Sequence, residues 1–198
     1  VVKELFANYF LHTSDVTFDL SHGRVTVHKK GGEPWRVTLV DTGPETMTGG
    51  RLRRVRSHLG RAPFFMTYGD GLADIDLEAL FAAHRSSKAL ATLTAVRAPT
   101  RFGVLDIVGD KVRRFKEKIP GDAGWINAGF AVLEAGALDY IAGDATPWET
   151  APVEKLAEEG RLAAYKHGGF WLPMDTLRDK NRLEELWASG RAPWKTWE

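Results

Sequence analysis

Two carboxylates stand out by their neighbours. Asp70 lies in Tyr68-Gly69-Asp70-Gly71, after the short apolar run Phe64-Phe65-Met66-Thr67, and Asp175 lies in Met174-Asp175-Thr176 at the head of a helical pattern. A pair of hard carboxylate oxygens suits Mg2+, which keeps several waters and completes its shell with substrate phosphates. Each residue also has a plainer reading, an Asx turn for Asp70 and a helix N-cap for Asp175. Lys118, in Lys116-Glu117-Lys118, offers a point charge to a phosphate, with Glu117 free to accept from hydroxyls. An exposed strand end of mixed charge is the alternative. Asn127 interrupts the apolar run Trp125 to Leu133. Its amide must find partners, either a sugar hydroxyl or a neighbouring backbone group.

A third segment, Thr46-Met47-Thr48-Gly49-Gly50-Arg51, leads into Leu52, Val55 and Leu59 at helical spacing. Backbone N–H groups at such a helix start suit a phosphate or a polar base edge, or are consumed by ordinary capping. Arg51, Arg53, Arg54 and Arg56 read as a solvated helix face, since the interleaved aromatics of a nucleic-acid platform are missing. His22 and His28 lack acidic or histidine partners at metal-ligand spacing.

The elements that must position these groups follow from periodicity. An amphipathic helix is expected over 2–12, then a hairpin from Val16–Leu20 and Arg24–His28 around Ser21-His22-Gly23, then a strand over Trp35–Val40. Phe64–Thr67 reads as a buried strand of a parallel sheet, with Gly69 and Gly71 allowing a sharp turn that leaves Asp70 at the carboxyl end of a central strand, where open α/β sheets bind ligands. Asp76 caps a helix through Leu77, Leu80, Phe81 and His84, and Ala89–Val96 is a second buried strand. Strand, helix, strand implies a right-handed crossover and parallel pairing. A hairpin over Phe102–Ile107 and Lys111–Phe115, a strand over 125–133, a strand over Leu162–Tyr165 and a final helix stopped by Gly190 complete one mixed α/β unit over residues 1–198.

Composition bounds the function. In 198 residues, 27 basic side chains offset 26 acidic ones, so no global field favours nucleic acid or an anionic membrane, and an anionic ligand must be held locally. The absence of cysteine removes thiolate chemistry, disulfides and Cys-based metal sites. No apolar run is long enough to span a bilayer and no signal-peptide pattern opens the chain, so it reads as soluble and cytoplasmic. It starts at Val1 within a helical pattern, and an upstream segment is expected to have been removed.

Taken in order, Phe6-Ala7-Asn8-Tyr9-Phe10-Leu11, Glu33-Pro34-Trp35-Arg36-Val37-Thr38-Leu39-Val40-Asp41-Thr42-Gly43, Thr46–Arg51, Thr67–Gly71, Phe115-Lys116-Glu117-Lys118, Trp125-Ile126-Asn127 and Met174–Lys180 resemble the glucose-1-phosphate cytidylyltransferase family of sugar-nucleotide pyrophosphorylases. The resemblance implies a Rossmann-like nucleotidyltransferase fold with a mixed, mostly parallel sheet. It implies transfer of a cytidylyl group from CTP to α-D-glucose 1-phosphate, for dideoxysugar and surface polysaccharide (O-antigen) synthesis, by a homo-oligomer. It implies Mg2+ on Asp70 and Asp175, Lys118 at the sugar phosphate, Glu117, Asn127 and the Gly103 backbone around the glucose, and Thr46, Gly50, Arg51, Tyr68 and Gly69 against the nucleotide. The family opens with a strand and a Gly-rich loop carrying an Arg and then a Lys. The glycine pairs at 31–32 and 49–50 lack that context, so the chain is expected to lack the N-terminal strand–loop–helix unit. Ile119 stands where the family has proline. The competing readings are a non-catalytic remnant that binds sugar phosphate or partners, and a pyrophosphorylase using UTP, dTTP or ATP.

Overall fold

Alternating β-branched and polar residues on either side of Ser21-His22-Gly23 give the hairpin its sequence predicts: β1 (Asp15–Asp19) pairs antiparallel with β2 (Arg24–Lys29). A computed structural model describes residues 1–29, 34–97, 104–116 and 124–197, and divides the chain into two units, Val1–Asp41 and Thr42–Glu198. In the first unit the predicted N-terminal helix is two short ones, α1 (Val2–Ala7) and α2 (Tyr9–Thr13), broken at Asn8. Residues 34–43 form no strand among the described residues, correcting the expectation for Trp35–Val40. An extended run becomes a strand only when a neighbour takes its hydrogen bonds, and Trp35, Val37, Leu39 and Val40 are exposed.

The second unit is layered around a six-stranded sheet. In chain order it contains α3 (Thr48–Arg54), α4 (Arg56–Leu59), β3 (Phe64–Thr67), β4 (Gly71–Ala73), α5 (Leu77–Ser87), β5 (Ala91–Arg97), β6 (Val104–Val108), β7 (Lys111–Lys116), β8 (Trp125–Leu133), a 3₁₀ helix (Ala135–Tyr140), α6 (Ala151–Glu158), β9 (Leu162–Lys166), β10 (Trp171–Pro173) and α7 (Leu177–Ala188). The sheet order is β3-β8-β5-β9-β7-β6. The strands β3, β5, β6 and β9 share one direction, but β8 returns between β3 and β5 and pairs antiparallel with both. Among the described residues β5–β9 is the parallel ladder. The sheet is therefore mixed but mostly antiparallel in its ladders, which corrects the mostly parallel sheet expected: β8 separates β3 from β5, so these two strands are not neighbours.

Alternation along β5 builds the two faces. Ala91, Leu93 and Ala95 join Leu133, Leu156, Leu162 and Trp148 in the main core, while Thr92 and Thr94 face the other way, with Thr92 bonded to His84 of α5. Asp76 caps α5 as predicted, accepting from the Ala79 N–H at 2.9 Å. By contrast, β3 is half-buried and lies at one end of the sheet, so Asp70 follows an edge strand and not a central one.

Candidate active site

Asp70 and Asp175 come to one pocket because of a short ribbon that periodicity did not reveal. β4 pairs antiparallel with β10, Pro173 opposite Gly71, and the Met174 N–H donates to the Asp70 carbonyl at 2.7 Å. Residues just before β4 and just after β10 thus share one end of the ribbon. Both aspartates line a pocket of about 220 Å³ together with Tyr68, Phe115, Asn127, Gly129, Glu149 and Trp171. Among the described residues no hydrogen bond or ion pair engages either carboxyl.

The capping reading of Asp175 is corrected here. The N-cap of α7 is Thr176, whose hydroxyl accepts from the Asp179 N–H at 3.2 Å while Asp179 accepts from the Thr176 N–H at 3.1 Å, a reciprocal capping box. The helix start is satisfied one residue later, leaving Asp175 to the pocket. Nor is the Gly69-Asp70-Gly71 turn built on left-handed backbone: neither glycine has positive φ, and a Cβ on Gly69 would meet nothing within 4 Å.

The pocket floor is a bulge in β8. Leu93 pairs with Ala131 and Ala95 with Asn127, so residues 128–130 stand opposite Thr94 alone. Gly129 takes a φ of +79°, and a Cβ there would lie 2.6 Å from Cδ2 of Tyr68, so the phenol ring is seated on the glycine. Asn127 turns its side-chain carbonyl to the Gly129 N–H at 3.0 Å, and the Trp171 indole N–H donates to the Ala128 carbonyl at 2.8 Å. The amide oxygen of Asn127 thus serves backbone, while the residue itself lines the pocket.

Glu149 is the ionisable pocket residue that sequence reasoning missed among the described residues. Its two oxygens accept from the Tyr68 hydroxyl and from Thr48 Oγ1, the latter at 2.7 Å, and Thr48 Oγ1 in turn accepts from the Trp148 N–H at 2.8 Å. Burial raises the Tyr68 pKa above the ordinary phenol value, and the neighbouring Glu149 and Asp70 charges push the same way, so Tyr68 stays a donor. A carboxylate after a tryptophan in a proline-containing loop is too common a pattern to have flagged it.

No residue of the Thr46–Arg51 segment lines the pocket; the segment reaches it only through the Thr48 hydroxyl on Glu149. Thr46 is buried, and the Met47 and Gly50 N–H groups donate to the Asp144 and Thr146 carbonyls at 2.9 and 3.2 Å. A Cβ on Gly50 would approach the Asp144 Cα to 2.6 Å, so the glycine pair lets α3 dock against this loop. Arg51 donates to Thr42 Oγ1 at 2.6 Å and the Pro44 carbonyl at 3.2 Å. The arginines are exposed, as the solvated-face reading expects, and from that face they also reach the neighbouring loop: Arg53 holds the Ala142 carbonyl, Arg54 grips both oxygens of Asp144, and Arg56 reaches Asp139 at 2.6 Å. Asp144 is held below its usual pKa chiefly by its hydrogen bonds from Arg54. Gly103, Glu117 and Lys118 lie outside the described residues.

A nucleotidyl transferase family model matches residues 43–174, the span that holds the β8 bulge and nearly all of the pocket. The chain belongs to the nucleotidyl transferase family. It is 55% identical over 199 residues to the glucose-1-phosphate cytidylyltransferase of Salmonella typhi, covering 100% of this chain and 77% of that protein. It is 36% identical to the probable glucose-1-phosphate cytidylyltransferase of Bacillus subtilis, with 99% and 77% covered. Among solved structures, HddC of Yersinia pseudotuberculosis superposes with a TM-score of 0.63 at 20% identity over 74% of this chain and 64% of that one. A UDP-glucose pyrophosphorylase complexed with UDP-glucose gives 0.65 at 13% identity, with 77% and 66% covered. These neighbours share the Rossmann-like α/β fold of the family. Among the described residues no helix is long and apolar enough to cross a membrane.

Proposed function

We propose that this protein transfers the cytidylyl group of CTP to α-D-glucose 1-phosphate, releasing pyrophosphate and forming CDP-glucose. The observation that carries the reading is that Asp70 and Asp175, whose carboxyls have no partner among the described residues, line one pocket in a chain more than half identical to a glucose-1-phosphate cytidylyltransferase along its whole length.

The electrostatics of the pocket favour a divalent cation. Asp70, Glu149 and Asp175 line it, and no lysine or arginine does so among the described residues. A triphosphate entering such a wall needs counter-charge. Among the described residues no set of three or more metal-ligating side chains gathers, so the protein offers two carboxylates and leaves the remaining positions to water and phosphate. That donor set fits Mg2+. Bound there, Mg2+ would supply charge neutralisation on the phosphates. Asp70 and Asp175 would hold it, while Tyr68 and Thr48 fix Glu149 so that its remaining lone pairs can accept hydroxyl or amino donors of the sugar or base, a role a phosphate cannot take beside a carboxylate.

The chemistry asks for no protein nucleophile. An oxygen of glucose 1-phosphate attacks the α-phosphorus of CTP, and the bond to the pyrophosphate oxygen breaks in line. The protein contributes position and charge. Lys118 is assigned to the sugar phosphate and Glu117 and the Gly103 backbone to the glucose by family resemblance, and a homo-oligomer by the same route.

Purified protein given CTP, glucose 1-phosphate and Mg2+ is expected to release pyrophosphate, with CTP preferred over UTP, dTTP and ATP in parallel assays. Silence with all four nucleotides overturns the reading in favour of a non-catalytic binding protein.

A further inference from the structure

Behind the two aspartates the ribbon is closed by a polar clasp. After β9, the loop 167–170 turns back into β10, and three contacts hold it. The His167 N–H donates to the Ala95 carbonyl at 2.8 Å, anchoring the loop to the end of β5. The Asp74 N–H donates to the Phe170 carbonyl at 3.2 Å. The His167 ring nitrogen Nε2 bonds the same Phe170 carbonyl at 3.1 Å and lies 2.9 Å from Asp74 Oδ1. A carbonyl only accepts, so Nε2 carries the proton. Asp74 Oδ1 is sealed from solvent with no aligned hydrogen bond, which leaves the imidazole edge as its polar neighbour. His167 is 9% exposed. Gly169 allows the closure: a Cβ there would overlap Asp74 Oδ1 and come within 2.8 Å of His167 Cε1.

This clasp sits directly at the turn end of the ribbon whose other end carries the aspartates. Phe170 is followed by Trp171, which pairs with Ala73 and lines the pocket, and three residues on from there Met174 bonds Asp70. A three-residue ladder on each side is too short to fix its own register, and a slip of one residue turns every side chain to the opposite face. We infer that His167, gripping the Phe170 carbonyl beside Asp74, is a positioning residue that fixes the register of the β4–β10 ribbon and through it the placement of Asp70 and Asp175 in one pocket. Its consequence for a cation rests on the reading given under Proposed function; the register itself does not.

The test measures the two separately in the full chain. Amide hydrogen exchange of the metal-free protein reads the register through the Met174 and Asp74 N–H groups, and Mn2+ titration by electron paramagnetic resonance, without nucleotide, reads the carboxyl pair. His167→Ala is expected to speed exchange at both amides about ten-fold or more, leave the β5–β9 ladder unchanged, and weaken Mn2+ binding several-fold. His167→Gln, which keeps a donor near Nε2, recovers both readouts. Gly169→Ala, which removes no polar group but crowds the clasp, is expected to loosen the same amides and serves if His167→Ala does not fold. Unchanged Met174 exchange in His167→Ala, or in Gly169→Ala where that variant stands in, overturns the inference. Wild-type protein that binds no Mn2+, with Met174 protection still lost in His167→Ala, overturns the cation reading and upholds the clasp.

Discussion

At the scale of single residues, the candidate site divides into groups that declare themselves locally and groups that do not. Asp70 and Asp175 were legible because each sits in a short distinctive string. Glu149 was not, since its orientation depends on Tyr68 and Thr48, 81 and 101 positions away in the chain. The capping box at Thr176 separates binding from folding at this point. Asp175→Asn is therefore expected to reduce Mg2+-dependent turnover by about a hundred-fold or more while leaving the melting temperature where it was. Thr176→Ala, one position along, is expected to cost about 1 kcal/mol of stability. Paired activity assays and calorimetric melts of the two variants check both halves. A large fall in melting temperature for Asp175→Asn with activity kept would return that residue to a structural role. Tyr68→Phe leaves Glu149 one fewer restraint and is expected to raise the KM for a substrate more than it lowers kcat, as read by steady-state kinetics.

Elements were legible in proportion to their length and regularity. β8, β9, α5 and the β6–β7 hairpin could be read from their patterns, because periodicity over five or more residues reports a face. β4 and β10 could not: each is three residues long, and β10 ends in Pro173. α3 was found, but the reason for its glycines was not, because close approach to the 144–148 loop is a tertiary fact. Gly50→Ala is expected to destabilise by about 1–3 kcal/mol through overpacking, measured as a lower denaturation midpoint. On the other face, α5 buries His84 against Thr92, with Nδ1 2.9 Å from the Thr92 hydroxyl and Nε2 3.5 Å from Glu134. Burial lowers the His84 pKa, with Glu134 opposing. The unfolded chain thus takes up a proton more readily than the folded one, so this contribution to stability is present above the ordinary histidine pKa of about 6.5 and is lost as pH falls through it. Denaturation of wild type and His84→Gln between pH 8 and pH 5 is expected to show a steeper acid loss in wild type.

For the whole molecule, the family fold was legible from blocks spread along the chain, whereas the sheet order was not. Strands β3 and β5, which read as consecutive while β4 goes unrecognised, invite parallel pairing, and nothing local announces that β8, coming from far down the chain, inserts between them. Residues 1–41 contribute no buried side chain among the described residues, and the expected strand over Trp35–Val40 finds no ladder there. A ligand that binds the native pocket alone should be felt globally: CTP with Mg2+ at a hundred times its dissociation constant is expected to add about 2.7 kcal/mol to unfolding, a thermal shift that Asp70→Asn removes.

The bulge in β8 sets two demands against each other. A regular β5–β8 ladder would match Thr94 with a single partner and leave Gly129 no left-handed bend; the recess exists because three residues are spent where one would suffice. Selection for heat resistance alone would straighten this strand and flatten the cavity, so variants evolved for robustness without a catalytic screen should accumulate changes at 128–130 and emerge sturdier but inert.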